Sequence, residues 1–149
     1  MKLFNFSKKQ IRENVVTKQS YILIAKESFI DHIRCIHETG CCYWRKKHGK
    51  GDKKMEKGDI VYIFISDKIH DRVMYRMEVV STHSARDDAK YWKVRFVIDN
   101  DCFKFQNISP VYTGKHLNRQ ELEEHGISRH IQRPKRLNQE QADWLEKYF

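Results

Sequence analysis

The chain has 149 residues, of which 40% are hydrophobic, 12% aromatic and 33% charged. This length and this supply of apolar side chains are typical of one globular domain with its own core, and they exclude a wholly disordered chain. No apolar run approaches the ~18 residues that span a bilayer. The start, MKLFNFSKKQIREN, also lacks the apolar stretch of a secretory signal. We therefore expect a cytoplasmic protein with no membrane partner.

The excess of positive charge is concentrated in the first part of the chain. The net charge is +9, and the residues up to Gly58 carry 14 basic and 6 acidic side chains, whereas the remainder carries 15 and 14. The densest segment is RKKHGKGDKKMEK, residues 45–57, with seven basic and two acidic side chains. Such a loop suits a phosphate backbone. The alternative is a solvated loop that only keeps the protein soluble.

The first half of the chain predicts two strands and a helix. Residues 1–19 are a basic arm or a short helix, and the sequence does not decide between them. SYILIAK, residues 20–26, is a β-rich apolar run. ESFIDHIRCIHETG then has helical spacing, with Ser28 available as a cap and Gly40 as a stop. CCYWRK predicts a second strand that leads into the basic loop.

Four further strands are predicted in the middle of the chain. DIVYIFISD, residues 59–67, is apolar enough to be buried on both faces, and RVMYRMEVVSTH, residues 72–83, alternates with period two. YWKVRFVID, residues 91–99, and CFKFQNI, residues 102–108, also alternate. Two helices follow, with Asn118 and Asn138 as caps. The prediction is an α+β fold, a small β-barrel of five to six mostly antiparallel strands flanked by two to three helices, over residues 20–149.

No catalytic set is convincing in this sequence. The phosphate-loop, dinucleotide, nucleophile-elbow and HExxH motifs are missing. A magnesium-dependent nuclease built from Asp99, Asp101 and Lys104 is a possible alternative. A zinc site is another, because one segment holds several ligand types, but their spacing has no CxxC pair; these residues are Cys35, His37, Cys41, Cys42 and His48. Buried reduced thiols are the competing interpretation, and we expect no metal, no cofactor and no enzymatic activity.

Aromatic residues lie beside the basic segments, at predicted strand ends. They are Tyr43, Trp44, Tyr62, Phe64, Tyr91 and Trp92. Aromatic faces stack on a nucleobase for roughly 1 to 3 kcal/mol each, while Lys and Arg hold the phosphates around it. The competing interpretation is core packing, which applies most strongly to Tyr62 and Phe64 in the buried strand.

The segment KGDIVYIFISDKIHDRVMYRMEVVSTHS, residues 57–84, resembles the EVE domain, a branch of the PUA-like group that includes YTH domains. The other segments that resemble the EVE domain also follow one another in the order of that family. A strand and helix precede CYWRK, Gly58 and Asp59 open the central strand, a W-x-V segment begins at Trp92, and IQRPKRL precedes the last helix. The resemblance covers about residues 20–149, although the loop between Trp44 and Gly58 is long compared with the family pattern.

The resemblance implies a non-catalytic module that flips a modified base into an aromatic cage. It implies methylated or hydroxymethylated cytosine, or N6-methyladenine, in double-stranded DNA, and a nuclease or a GTPase/ATPase module of the same restriction or defence system as partner. An RNA-binding PUA-like module is the alternative. The base-binding residues it implies are Trp44, Tyr62, Ile65, Ser66, Asp67 and Trp92, with Trp92 facing either the pocket or the core. The predicted phosphate-binding residues are Arg45, Lys46, Lys47, Lys50, Lys53, Lys54, Arg133, Lys135 and Arg136.

Overall fold

The computed structural model of the protein describes residues 18–46 and 55–149. The predicted N-terminal arm falls almost entirely outside the described residues, as does the middle of the basic loop. The described residues form six strands, three α-helices and one short 3-10 turn. In chain order these are β1 (Ser20–Lys26), α1 (His32–Thr39), β2 (Cys41–Arg45), β3 (Ile60–Ser66), β4 (Arg72–Ser84), the 3-10 turn (Ala89–Tyr91), β5 (Cys102–Asn107), α2 (Arg119–Glu124), β6 (Lys135–Arg136) and α3 (Gln139–Glu146).

The six strands form one mixed sheet in the order β2-β5-β4-β3-β1-β6. Strands β1 and β3 are parallel, and the other pairs are antiparallel. The predicted α+β class, with five to six mostly antiparallel strands and two to three flanking helices, is confirmed, and the observed numbers are six and three. The sheet is not closed into a barrel in the described ranges, because β2 and β6 are its two edges. A two-residue edge strand, β6, is too short to show any strand pattern in the sequence.

The central strands are buried on both faces, which explains their continuous apolar sequences. One core packs α1 against the sheet and includes Leu23, Ile36 and Ile63. The second core lies on the opposite face and includes Phe64 from β3, Leu122 from α2 and Leu145 from α3. The prediction that residues 59–67 form a strand buried on both sides is confirmed, because β3 carries five consecutive buried side chains.

The helix ends follow the capping rules at three of four predicted positions. Asn118 and Asn138 accept hydrogen bonds from the backbone at the starts of α2 and α3, and Gly40 ends α1 with φ 72°. The prediction of Ser28 as the cap of α1 is wrong. Asp31 has this role, since its carboxylate accepts a hydrogen bond from the backbone N–H of Arg34. The chain instead uses residues 26–30 to turn out of β1.

The predicted strand at residues 91–99 is wrong. After the 3-10 turn this segment has no regular structure, apart from an isolated bridge between Ile30 and Trp92. Val94, Val97 and Ile98 are exposed. The alternation of apolar and charged residues is real, but the place beside β4 is taken by β5, so no neighbouring strand pairs with this segment.

The cysteines pack in the structure as thiols. The Cys35 thiol donates to the carbonyl of Cys41 over 3.3 Å, and burial raises its pKa to about 11. Burial also raises the pKa of Cys42, whose sulfur lies 3.7 Å from that of Met77. Within residues 18–46 and 55–149, no group of three or more His, Cys, Asp or Glu side chains could hold a metal ion. No helix in these same ranges is long and apolar enough to cross a membrane.

The capping box of α3 gives a first test of the fold. Asn138 accepts from the backbone N–H of Gln141, and the Gln141 side chain accepts from the backbone of Asn138. We expect Asn138→Ala to lower the free energy of unfolding by about 1 kcal/mol, because a helix N–H loses its partner. Urea unfolding measures this loss. The neighbouring exposed change Gln139→Ala serves as control and should cost less than about 0.5 kcal/mol; equal losses would contradict the capping role.

Candidate nucleic-acid interface

A cavity of about 460 Å³ opens at the carboxyl end of β1. Its size falls in the range of 300–1,000 Å³ that is usual for small-ligand sites. Apolar and cationic side chains line it together. The lining residues are Ile24, Lys26, Phe29, Ile30, His32, Trp44, Arg45, Arg86, Ile131 and Gln132.

Trp44 forms one aromatic wall of this cavity, whose lining also includes Phe29. It lies in β2 opposite Phe103 of β5, and its ring is partly buried against the core that contains α1. The ring centroid of His32 lies 6.1 Å away, with an angle of 38° between the two planes. The indole is therefore packed on the sheet at the edge of an open space, where a flat ligand could stack on it.

The turn after β1 brings a buried polar pair to the cavity. Glu27 is 6% and His32 is 4% exposed. The Glu27 Oε1 atom lies 2.9 Å from His32 Nδ1 and also accepts the backbone N–H of His32 over 3.1 Å. The carboxylate thus shares the first N–H of α1 with the carbonyl of Ile30, to which this N–H also donates over 3.0 Å, and it orients the imidazole at the same time. This pair fixes the corner between β1 and α1.

Arg86, another residue of the cavity lining, forms a second buried pair with Asp88, and the two side chains are 6% and 2% exposed. The Arg86 guanidinium donates to both Asp88 oxygens and to the carbonyl of Tyr43. It also lies 4.8 Å above the ring of Trp92, whose indole N–H donates to Asp88 over 3.0 Å. The contacts with Asp88 and with the Trp92 ring hold Arg86 rigidly in the cavity wall.

The predicted base-binding residues divide into one that lines the cavity and five that do not. Trp44 lines it. Trp92 lies behind Arg86 and packs edge-on against Phe96. Tyr62 is fully buried in the other core, where its hydroxyl donates to Glu146 over 2.5 Å. For Trp92 and Tyr62, the structure therefore favours a packing role over a place in the pocket wall.

The end of β3 also lies outside the cavity lining. Ile65 is fully buried in the core beside α1, and the Ser66 hydroxyl accepts from Arg119 over 3.1 Å. Asp67 accepts from His70 through Nδ1 over 2.7 Å. Although burial acts in the opposite direction, hydrogen bonds from His70 and Ile69 lower the pKa of the Asp67 carboxyl. Asp67 therefore organises the turn between β3 and β4.

The predicted phosphate-binding residues fall in three places. Arg45 lines the cavity. Lys46 donates to Asp101 over 2.9 Å, and this hydrogen bond and one from His83 lower the pKa of Asp101. A second cavity, of about 630 Å³, is lined by the remaining C-terminal set and shares Ile131 and Gln132 with the first; that set is Arg133, Lys135 and Arg136. Lys47, Lys50, Lys53 and Lys54 lie outside the described residues.

The alternative chemistries gain no support from these positions. Asp101 is engaged by Lys46 and His83, the side chain of Asp99 accepts from the backbone of Asp101, and the Lys104 ammonium lies over the ring of Tyr43. The side chains of these three residues do not converge on one another, and none of them lines either of the two cavities. For the zinc alternative, Cys35, Cys41 and Cys42 have packing contacts, and His48 lies outside the described residues.

Sequence reasoning missed Glu27, His32 and Arg86. A signal for the first two exists in ESFIDH, where a Glu directly follows an apolar strand and a His stands at the start of a helix. Arg86 gives no local signal, because it reaches the cavity from a segment without regular structure.

Comparison with known proteins supports the fold. No family model matches this sequence, and no curated protein matches it. The YTH domain of Pho92, solved in complex with m6A, superposes with a TM-score of 0.57 at 16% identity, over 89% of this chain and 84% of that one. The YTH domain of MRB1 from Zygosaccharomyces rouxii, in complex with N6-methyladenosine RNA, gives 0.51 at 14%, over 86% and 85%. A hypothetical protein from Leishmania major gives 0.56 at 14%, over 87% and 93%.

The buried pair in the cavity wall provides a test of this geometry. We expect Arg86→Met to lower the free energy of unfolding by about 3–5 kcal/mol, because Asp88 would remain buried without its cation. The double variant Arg86→Met/Asp88→Asn should recover part of this loss, since the uncompensated charge is removed. Urea unfolding of both variants gives the two numbers. A loss below about 1 kcal/mol for Arg86→Met would contradict the buried pairing.

The comparisons and the described strands and helices agree at the level of architecture. The superpositions cover most of this chain and most of the two YTH domains, so the chain has the same small α+β fold as these domains.

Proposed function

We propose that this chain is a non-catalytic reader of a modified nucleobase, which it holds in the cavity against Trp44. The observation that carries the proposal is the cavity itself. It combines the aromatic rings of Trp44 and Phe29, apolar side chains, and one buried polar side chain from each of the two pairs, and a basic surface adjoins it. The YTH/PUA-like fold supports the proposal, because the two YTH domains above were solved with m6A and with N6-methyladenosine RNA.

Stacking on Trp44 would supply the largest part of the base-binding energy. Stacking of a base on an aromatic side chain contributes about 1–3 kcal/mol. Ile24, Ile30 and Ile131 add apolar surface around the same space. A methyl group buried there gains about 0.8 kcal/mol, which is enough to favour a methylated base over the unmodified base several-fold.

Entry into this cavity requires a base that is unstacked. The Trp44 wall is partly buried, and the cavity is a recess at the end of the sheet, so a base within a duplex cannot reach it while paired. A flipped base in a duplex and an unpaired base in a single strand both meet this requirement. The reader mechanism therefore begins with extrusion or capture of one nucleotide.

The basic residues next to the cavity suit the phosphates that flank the bound base. Arg45 lies at the cavity itself, and the second cavity continues from Ile131 and Gln132 toward β6. Arg133, Lys135 and Arg136 are exposed there. Lys and Arg contacts to phosphates provide affinity without base preference. The long basic loop would add further contacts through Lys47, Lys50, Lys53 and Lys54.

We further propose that the modified base belongs to DNA. The sequence resemblance to EVE domains supports a methylated or hydroxymethylated cytosine, or N6-methyladenine, and a nuclease or GTPase/ATPase module of a restriction or defence system as partner. An RNA ligand is the second candidate, and the N6-methyladenosine RNA bound to the MRB1 domain favours it. Binding of single-stranded and duplex DNA and RNA with each base, at one stated salt concentration, separates the two.

Substitution of Trp44 tests whether the modified base stacks on its ring. We expect Trp44→Ala to weaken binding of the preferred modified base by about 5- to 150-fold, which corresponds to the loss of one stacking contact. Binding of the unmodified strand should change much less, because it depends mainly on phosphate contacts. Fluorescence anisotropy with matched modified and unmodified oligonucleotides measures both.

Two further variants serve as controls for Trp44→Ala. Trp44→Phe keeps an aromatic face and should retain most of the preference. Trp144→Ala removes a tryptophan on the opposite side of the molecule, where the ring stacks on His125, and should leave the preference unchanged. Equal losses for modified and unmodified strands in Trp44→Ala would contradict the role of Trp44 in stacking on the modified base.

The salt dependence of binding tests the basic strip, by which we mean the exposed residues Arg133, Lys135 and Arg136 at the second cavity. We expect Arg133→Gln/Lys135→Gln/Arg136→Gln to weaken modified and unmodified strands alike. The slope of log K against log salt should fall by about 0.7–0.9 for each phosphate contact that is lost. Lys68→Gln/Lys115→Gln/Lys147→Gln has the same charge change at exposed positions outside both cavities and is the matched control. Equal slopes for the two triple variants would contradict a phosphate role for the strip.

A further inference from the structure

The pair of Glu27 and His32 has one unused polar atom, His32 Nε2. The Glu27 carboxylate is engaged with the backbone N–H and with Nδ1 of His32. The His32 side chain is 94% buried, as its relative exposure of 6% shows, and it lines the cavity beside Trp44. Within residues 18–46 and 55–149, Nε2 has no hydrogen-bond partner. Nε2 is not one of the described side-chain atoms that are buried without a partner, which are Arg72 Nε and Asn107 Oδ1, so this nitrogen is open to the cavity and available to whatever occupies it.

The carboxylate determines what this nitrogen can do. An ionised carboxylate only accepts hydrogen bonds, so the Nδ1 atom at 2.9 Å must carry the hydrogen. In the neutral ring the hydrogen is then absent from Nε2, which presents a lone pair. The same principle applies to histidine ligands of metals, where a partner on one nitrogen fixes the role of the other. A neutral His32 with its hydrogen on Nδ1 therefore offers an acceptor to the cavity.

Most of the other polar side chains in the cavity have the opposite character. Lys26, Arg45 and Arg86 carry only donors. They can serve ring nitrogens, carbonyl oxygens and phosphates, but they cannot receive the hydrogen of an amino group. An acceptor at His32 therefore allows the cavity to recognise an amino hydrogen, which the cations cannot do.

We propose that His32, held by Glu27, is a specificity-determining residue that accepts a hydrogen bond from the exocyclic amino group of the bound base. The inference rests on the proposed function and names its ligand class. The cavity takes adenine-type or cytosine-type bases that keep at least one amino hydrogen. N6-methyladenine, N4-methylcytosine and 5-methylcytosine satisfy this condition. A base whose amino nitrogen is dimethylated, or is replaced by oxygen, leaves Nε2 without a partner.

Matched analogues isolate the amino hydrogen from shape. N6-methyladenine and 6-methoxypurine have the same outline, but only the first has the N–H. N4-methylcytosine and its 4-methoxypyrimidinone analogue are the corresponding pyrimidine pair. We expect the wild-type protein to bind the amino member of the preferred pair at least about fivefold more tightly, because an unpaired buried acceptor costs about 1–3 kcal/mol.

Variants at His32 show whether this preference comes from the imidazole. His32→Phe keeps a flat ring without an acceptor. The amino and methoxy members should then bind equally, because the affinity for the amino member falls. His32→Gln places an amide oxygen near the position of Nε2 and should restore part of the preference. Circular dichroism and the urea midpoint show that each variant is folded. A third variant, Ser109→Ala, changes a residue outside the cavity and should retain the wild-type ratio.

The outcomes separate failure of this inference from failure of the proposed function. If Trp44→Ala abolishes modified-base binding but the wild-type protein binds the amino and methoxy members equally, the role of His32 is wrong and the reader function stands. A preference that persists in His32→Phe also overturns the role of His32, because another group then reads the amino hydrogen. If no modified base binds in a Trp44-dependent way, the reader function itself fails and the inference fails with it.

Discussion

The parallel pairing of β1 with β3 is the constraint on which the rest of the structure depends. All seven residues of β1 pair with β3, from Ser20 opposite Ile60 to Lys26 opposite Ser66. Both strands are covered on both faces, so their interiors are almost entirely apolar. The Tyr62 hydroxyl, bonded to Glu146, is an exception in β3, and charged side chains occur only where the two strands end. The candidate cavity lies at the carboxyl end of β1, where Glu27 is the first residue after the strand.

Buried charge is the second feature of this site. Glu27, His32, Arg86 and Asp88 are withdrawn from water, and each makes hydrogen bonds inside the protein. Such pairs contribute little net stability, because desolvation offsets their attraction. Their effect is geometric: they hold a carboxylate-bound imidazole and a guanidinium in one orientation around an open space. A site that is already ordered loses less entropy when a ligand binds.

Much of the fold is predictable because it follows from local pattern. The continuous apolar run of β3, the alternation of β4 and the asparagine caps of α2 and α3 each have a direct physical cause in the sequence. The segment at residues 91–99 has the same alternation as a strand, yet it remains without regular structure. Whether a strand forms depends on a partner from elsewhere in the chain, and here β5 pairs with β4.

The site is less predictable than the fold for the same reason. Trp44 is singled out in the sequence by its place beside the basic segment and by the resemblance to EVE domains. Glu27 and His32 leave only the local signal in ESFIDH, and Arg86 leaves none. The meeting of His32 and Arg86 depends on how the turn after β1 packs on the segment around Trp92. Backbone hydrogen bonds from Asp31 to Tyr91 and from Lys93 to Phe29 join these two segments. In the proposed function, the exposed residues of β6 contact phosphates and the residues of the cavity select the base, so different side chains set the affinity and the base preference.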